Sequence, residues 1–422
     1  INGLYLPYSG YHNSLFGYVG NDDQEGVILN LGLLNVYVEG WEYTGALVSL
    51  LIGRVESCYA TGAVKGKATS FGSESTGGLI GSVYTDSSLV KDSRFIGTVE
   101  GEYANGGLTG SNWGTILNCS SSGSVSITQS YSGGLVGINR NTGLIINCWS
   151  DVDVSSENSS TGGLVGNNYK GIIENCIAKG SVSSTGSKTG GLVGYHEEGI
   201  IRNSYARGSV NGTTYTGGLI GEQWKGEVEN SYSTGTVSGT GSYVGGLIGY
   251  KSYSGVETNC YWDTESSGMS NSSAGTGKTT AEMKTQSTFT DAGWDFSEIW
   301  TINSAKNEGY PYLKWQDTAP VSIEETTFNG DIMLADSYTL SHVYPNPFNA
   351  TFTIPFSLKE SMSVSLVLYN ISGRQVMTIL NQTLSAGDYT YPVTTNDLGS
   401  GVYLLRMVMG RAVHTQKVVL LK

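Results

Sequence analysis

Thr161-Gly162-Gly163-Leu164-Val165-Gly166 returns almost unchanged as Thr189-Gly190-Gly191-Leu192-Val193-Gly194 and as Thr216-Gly217-Gly218-Leu219-Ile220-Gly221. Working outward, the string Gly-Gly-Leu-(Val/Ile/Thr)-Gly starts at Gly77, Gly106, Gly133, Gly162, Gly190, Gly217 and Gly245, at spacings of 29, 27, 29, 28, 27 and 28 residues. Gly45-Ala46-Leu47-Val48 and Gly17-Tyr18-Val19-Gly20 are degenerate earlier copies, giving roughly nine units. A second motif, Ile/Val-x-Asn-Cys/Ser, follows each first one. It reads Ile116-Leu117-Asn118-Cys119, Ile145-Ile146-Asn147-Cys148, Ile173-Glu174-Asn175-Cys176, Ile201-Arg202-Asn203-Ser204 and Val228-Glu229-Asn230-Ser231. Seven residues beyond each Asn stands Val125, Val154, Val182, Val210 or Val237. Three phased apolar ladders do not arise by chance.

The ladders predict three short strands per coil, centred on the Leu, Ile and Val positions, with Gly-rich corners where close backbone approach or positive φ is needed. One coil cannot bury its apolar face, but stacked coils pair each strand with its counterparts above and below and fill a continuous interior. The expected architecture is all-β: a β-solenoid of about nine coils over residues 1–262, paired in parallel and on the order of 40 Å long at about 4.8 Å per rung. Stacking also places Asn118, Asn147, Asn175, Asn203 and Asn230 in one column, where amides bond one another or satisfy a tight turn. Cys58, Cys119, Cys148, Cys176 and Cys260 share the next column with Ser93, Ser204 and Ser231 and read as small buried fillers. Their odd number and the lack of CxxC or Cys/His spacing speak against a disulfide framework or a metal site. Glu174, Arg202 and Glu229 alternate in sign on adjacent coils, and Asp151, Lys179 and Arg207 form a similar column, both expected as solvated charge ladders. On these motifs, residues 15–262 resemble the GLUG repeats of bacterial surface and secreted proteins. The resemblance implies an extracellular or cell-surface setting and supplies no activity.

After Cys260-Tyr261-Trp262-Asp263 the ladders fail, and residues 263–315, with Trp294, Phe296, Ile299, Trp300, Tyr310, Tyr312 and Trp315, are expected to cap the open end. A Tyr-Trp-Asp start and a Gly309-Tyr310-Pro311-Tyr312-Leu313 end are what the GLUG resemblance implies for such a cap. Thr280–Lys284 reads as a short helix. Gly275-Thr276-Gly277-Lys278-Thr279 invites a phosphate-loop reading, but Ser272 stands where the first Gly is required. Residues 316–337 read as a linker.

From 338 to 422 the alternation of Phe352, Ile354, Phe356 and Leu358, then Val364, Leu366 and Leu368, predicts six or seven strands of a small immunoglobulin-like β-sandwich. Tyr344-Pro345-Asn346-Pro347-Phe348-Asn349, Leu368-Tyr369-Asn370-Ile371-Ser372-Gly373, Ala386-Gly387-Asp388-Tyr389, Ser400-Gly401-Val402-Tyr403-Leu404 and the final Lys417–Lys422 resemble the C-terminal sorting domains of type IX secretion substrates. That resemblance implies export by a bacterium, outer-membrane secretion machinery as a partner of 338–422, and surface attachment or removal of the domain after export.

Charged residues are 14% of the 422 and the net charge is -13, with no Lys/Arg cluster of the kind that grips phosphate backbones. No stretch reaches the length of an apolar membrane span, and Ile1 at the start is expected to mark a mature form or a fragment. His12, His196, His342 and His414 are scattered, and no HExxH, nucleophile elbow or Ser/His/Asp spacing occurs. Asp151 and Asp153, on one strand face, are the best candidates for acid/base work or Ca²⁺, and they lack further ligands in their coil. No catalytic, cofactor or metal residue is therefore assigned. The expectation is a non-enzymatic structural or adhesive surface protein, self-associating head to tail into a filament, with the sandwich covering or complementing the solenoid's open edge at the apolar run Ile1–Leu6. The alternatives are a monomeric glycan- or protein-binding adhesin using Trp113, Trp149 and Trp224, and, further off, a polysaccharide-degrading enzyme.

Overall fold

The computed structural model describes residues 1–7, 12–21, 23–67, 75–318, 338–340, 343–371, 373–409 and 412–422. His342 and most of the stretch read as a linker lie outside the described residues. The chain forms two compact units: Tyr8–Gly32 with Val38–Phe328, and Ile1–Pro7 with Leu33–Tyr37 and Asn329–Lys422.

The larger unit is a parallel β-solenoid. One nine-stranded sheet runs from Phe16–Val19 to Ile248–Ser252, and a second from Gly26–Leu29 to Val256–Thr258. A third, containing Tyr59–Lys67, Arg94–Gly101 and Ser120–Ile127, carries the Val column. Register advances by one repeat per rung: Val136 faces Val165 and Val165 faces Val193, while Ile145 faces Ile173 and Val154 faces Val182. The Leu residues stack directly, since the Leu135 amide donates to Leu164 O and the Leu164 amide to Leu192 O, both at 2.9 Å. Leu47, Leu79, Leu108, Leu135, Leu164, Leu192, Leu219 and Leu247 are fully buried, as are Ile116, Ile145, Ile173 and Ile201. At about 1.5–3 kcal/mol for each buried aliphatic side chain, these columns are the main stabilising contribution.

A fourth set of strands was not expected. Two- and three-residue strands such as Ser132–Gly133, Thr161–Gly162 and Thr189–Gly190 form an eight-stranded sheet ending on the first Gly of each pair, so the Leu itself lies in the corner. The Gly pair answers to close approach: a Cβ on Gly133 would lie 1.9 Å from Val136 O, and one on Gly134 would lie 2.1 Å from Gly163 O. Left-handed φ is instead adopted by the Asn column, at 53° for Asn118 and Asn147 and 54° for Asn175. Asn tolerates that conformation better than other side chains with a Cβ. The amides also bond rung to rung, Asn147 Nδ2 to Asn118 Oδ1 at 3.3 Å and Asn175 Nδ2 to Asn147 Oδ1 at 3.2 Å.

Two polar columns are interior. Asn112 donates to Asn139 and Asn139 to Asn168, each at 2.8 Å, and Asn168 Nδ2 lies 3.2 Å from His196 Nδ1, all fully buried. The Cys/Ser column does more than fill space. The Cys119 amide donates to Cys148 Sγ at 3.3 Å, as the Cys176 amide does to Ser204 Oγ at 3.0 Å, while Cys148 Sγ donates to Ile146 O at 3.1 Å. All five thiols are free and buried, and burial pushes Cys260 up to about 12. Ser93, Ser204 and Ser231 make equivalent bonds, so Cys176→Ser is expected to change unfolding free energy by under about 1 kcal/mol in a urea melt.

Residues 263–318 both extend the stack and cover its side. Thr276–Lys278 adds a parallel strand beyond Tyr261–Asp263. Met283, Phe289, Trp294, Trp300, Tyr310 and Leu313 then pack over the outward column Ile177, Tyr205, Tyr232 and Tyr261, with Trp149 at its margin. Tyr310 donates to Asp263 Oδ2 at 2.7 Å, so the two motifs that bound the segment meet. Burial alone would raise the Asp263 carboxyl; hydrogen bonds from the Ser266 amide, the Tyr310 and Thr280 hydroxyls and the Glu265 amide more than offset it and hold the carboxyl below its usual range. The expected helix is Thr280–Met283, and the Gly-Thr-Gly-Lys-Thr run becomes a strand followed by the Thr279 N-cap in a capping box with Glu282.

In the smaller unit, Tyr338–Leu340, Thr351–Leu358 and Gly387–Thr394 form one antiparallel sheet. Gln375–Leu384, Met362–Asn370, Gly401–Met409 and Ala412–Leu420 form another. Phe352, Ile354, Phe356, Leu358, Val364, Leu366 and Leu368 make the core between them, the arrangement of a small β-sandwich. Asn346 clasps the outermost strand, donating to Lys417 O and accepting from the Val419 amide, both at 2.8 Å.

Candidate functional site

Parallel stacking sets equivalent side chains of successive coils in columns, and the charged and aromatic candidates of the sequence fall on several of them. The Glu174–Arg202 pair forms as expected at 2.8 Å, and Arg202 faces Glu229 in register. The second charge column behaves differently. Lys179 lies over the Trp149 ring at 5.1 Å, and Arg207 turns to Asn307 Oδ1 at 2.6 Å and to Glu308, so the covering segment recruits it. Asp151 and Asp153 are both exposed, but Asp153 accepts from the Ser181 amide at 3.0 Å and from its hydroxyl at 2.5 Å, a rung-to-rung tie. Among the described residues no cluster of three or more His, Cys, Asp or Glu is placed to hold a metal.

The tryptophans separate. Trp149 sits beside the covering segment, whereas Trp113 and Trp224 share an outward column at the far end of the first sheet. Arg140 pairs with Tyr169, Tyr169 with Glu197, Glu197 with Trp224 and Trp224 with Ser252. Trp113 precedes Arg140 and Tyr84 precedes Trp113, following the register of Asn112 with Asn139 and Val83 with Asn112. Trp113, Tyr169 and Trp224 are half-buried, while Tyr84 and the neighbouring Tyr253 are exposed. Cations flank the rings: Arg140 over Trp113 at 5.7 Å, Lys170 over Tyr169 at 5.0 Å and Lys225 over Trp224 at 4.3 Å. Glu198 bonds Lys225 at 2.9 Å and reaches Lys170 at 3.4 Å, and the Lys225 hydrogen bond holds its carboxyl below the usual range. Tyr84, Tyr169 and Tyr253 are not singled out by the repeat motifs. A constant offset from the Leu was available: Tyr84, Trp113, Arg140, Tyr169, Glu197, Trp224 and Ser252 all stand five residues after it.

A third surface belongs to the smaller unit. The segment Ile1–Pro7 bonds to Leu33–Tyr37: the Gly3 amide donates to Leu34 O at 2.8 Å, the Leu34 amide to Ile1 O at 2.7 Å and the Tyr37 amide to Leu4 O at 2.8 Å. Its other side meets the outermost sandwich strand. Leu4 forms a parallel bridge with Thr415, whose amide donates to Gly3 O and whose hydroxyl donates to Asn2 O at 2.7 Å. The rings of Tyr5 and His414 meet edge to face, 6.4 Å between centroids.

Comparison with known proteins agrees with both halves. Residues 157–183, 185–211 and 212–238 match the GLUG motif, and residues 342–421 match the secretion system C-terminal sorting domain. A protein of Evansella cellulosilytica, named as a Gly-rich membrane protein, is 46% identical over 74 residues, 17% of this chain and 8% of that protein. No solved structure matches the chain. The chain thus carries GLUG repeats and a type IX sorting tail, and it is exported to the bacterial cell surface or beyond. Among the described residues no helix is long and apolar enough to cross a membrane.

Proposed function

We propose that the chain is a structural subunit of an extracellular or surface-attached polymer, joined head to tail through its first strand and its last. The observation that carries this reading is the main-chain bridge between Leu4 and Thr415. Ala412–Leu420 is an edge strand of its sheet, and a sheet edge accepts an added strand. Accepted from the same chain, Ile1–Pro7 closes the subunit on itself. Accepted from the next chain, the same bonds make a heterologous contact that repeats without closing.

The test pairs Tyr5→Cys with His414→Cys in the full chain, a choice favoured by the native thiols being buried. Oxidation at high protein concentration is expected to give a ladder of covalent multimers on a denaturing gel, absent from either single variant. Covalently closed monomers alone, together with single particles in negative stain, would sink the polymer. The reading assigns no chemistry to Asp151 and Asp153. Release of reducing ends from an acidic polysaccharide, lost in Asp151→Ala with Asp153→Ala, would count against it.

A further inference from the structure

Beyond polymerisation, we infer that the outward column Trp113, Tyr169 and Trp224 binds an extended β-1,4-linked polysaccharide of neutral pyranoses, lying along the solenoid axis. Parallel strands set one column member per rung at about 4.8 Å. The register of Arg140 with Tyr169, Tyr169 with Glu197 and Glu197 with Trp224 puts the three rings on alternate rungs, about 10 Å apart. In an extended β-1,4-linked chain each sugar is flipped relative to the last, so the same ring face recurs every second residue. That repeat fits the alternation: every second sugar lays its C–H face on an aromatic ring, on the side that Arg140, Lys170 or Lys225 leaves uncovered, where the π-face carries partial negative charge. The intervening sugars meet Arg140 and Glu197, a donor and an acceptor for hydroxyls.

The flanking groups fit the same occupant. Arg140, Lys170 and Lys225 rest against the rings, and Glu198 ties the two lysines together, so the strip carries polar groups of both signs and holds no strong bias for a charged ligand. Tyr84 at one end, 48% exposed, and Tyr253 at the other, 76% exposed, lengthen the aromatic track to seven rungs, roughly 30 Å. Core packing does not require these rings, because the inward neighbours in the same strands are the buried Asn112, Asn139, Asn168, His196 and Gln223.

The full chain is mixed with microcrystalline cellulose and with β-chitin, and titrated calorimetrically with the soluble cello- and chito-hexaoses; amylose serves as the α-linked control. Retention on at least one β-linked polymer and none on amylose is expected. Trp113→Ala with Trp224→Ala should weaken hexaose binding at least tenfold with an unchanged melting temperature, and Trp149→Ala should leave it intact. The decisive variant is Tyr169→Ala with Glu197→Tyr, which keeps three rings but breaks their alternation. It is expected to lose binding as the double Trp variant does. Undiminished binding by that variant, or no retention on either β-linked polymer, overturns the inference.

Discussion

Gly163→Val lowers the unfolding free energy by more than about 3 kcal/mol, whereas Gly399→Ala stays within about 0.5 kcal/mol of the parent. A Cβ on Gly163 falls 2.1 Å from Gly191 O, and the same carbonyl-over-glycine contact recurs at Gly107, Gly134 and Gly191. The obstacle is backbone, so no side-chain rotamer relieves it. Making room would push apart adjacent coils whose separation is fixed by bonds such as Gly163 N to Gly190 O at 3.2 Å and Leu164 N to Leu192 O at 2.9 Å. Stability in a stack is a sum of nearest-neighbour interfaces, and breaking a central one exposes two apolar ends. Gly399, exposed and with nothing within 4 Å of a Cβ, has no such neighbour. Urea melts followed by circular dichroism check both. A Gly163→Val protein that melts with the parent would show that the second Gly of the pair is not required by close approach.

That contact also marks how far the sequence could be read. The Leu, Ile and Val columns were legible because their spacing is a property of the chain alone, and parallel stacking converts spacing directly into register. Asn147 and Cys148 were legible as columns, and the rung-to-rung amide bonds of the Asn column followed from the stacking; the amide-to-sulfur bond did not, since it depends on what lies one rung away. The short Thr161–Gly162 strand escaped notice because two residues carry no period of their own. Arg207 was expected to face solvent; its partners Asn307 and Glu308 lie a hundred residues on, brought there by the aromatic cluster around Tyr232 and Trp300. Trp113 and Trp224 were legible as candidates for sugar stacking, but Tyr169 and the column that unites the three were hidden for another reason. Repeat detection follows residues that recur, and an outward column that alternates aromatic with charged residues varies from coil to coil. The apolar run Ile1–Leu6 pointed to an edge for the sandwich to complement, but the choice of Thr415 as the partner of Leu4 joins the two ends of the sequence and has no local pattern.

His196 sets the behaviour of the solenoid in acid. It continues the buried Asn112, Asn139, Asn168 column, and Nδ1 meets Asn168 at 3.2 Å. Burial lowers its pKa to about 4, only partly offset by contacts with the Glu227 and Gly199 backbone. The unfolded chain protonates near the ordinary value of about 6.5, so below that pH the unfolded state binds the extra proton and the folded state does not. Stability from this group is therefore whole above about pH 6.5 and declines as pH falls towards 4, by up to about 1.4 kcal/mol per pH unit and about 3 kcal/mol in all. His196→Asn places a fourth asparagine in the column and removes the titration. The variant is expected to melt within a few degrees of the parent at pH 7.5 and clearly above it at pH 4.5, since all other titrating groups are common to both. Stability curves for the two proteins that run parallel from pH 7.5 to 4 would mean that His196 takes its proton inside the fold without cost, and that the interior column is open to water.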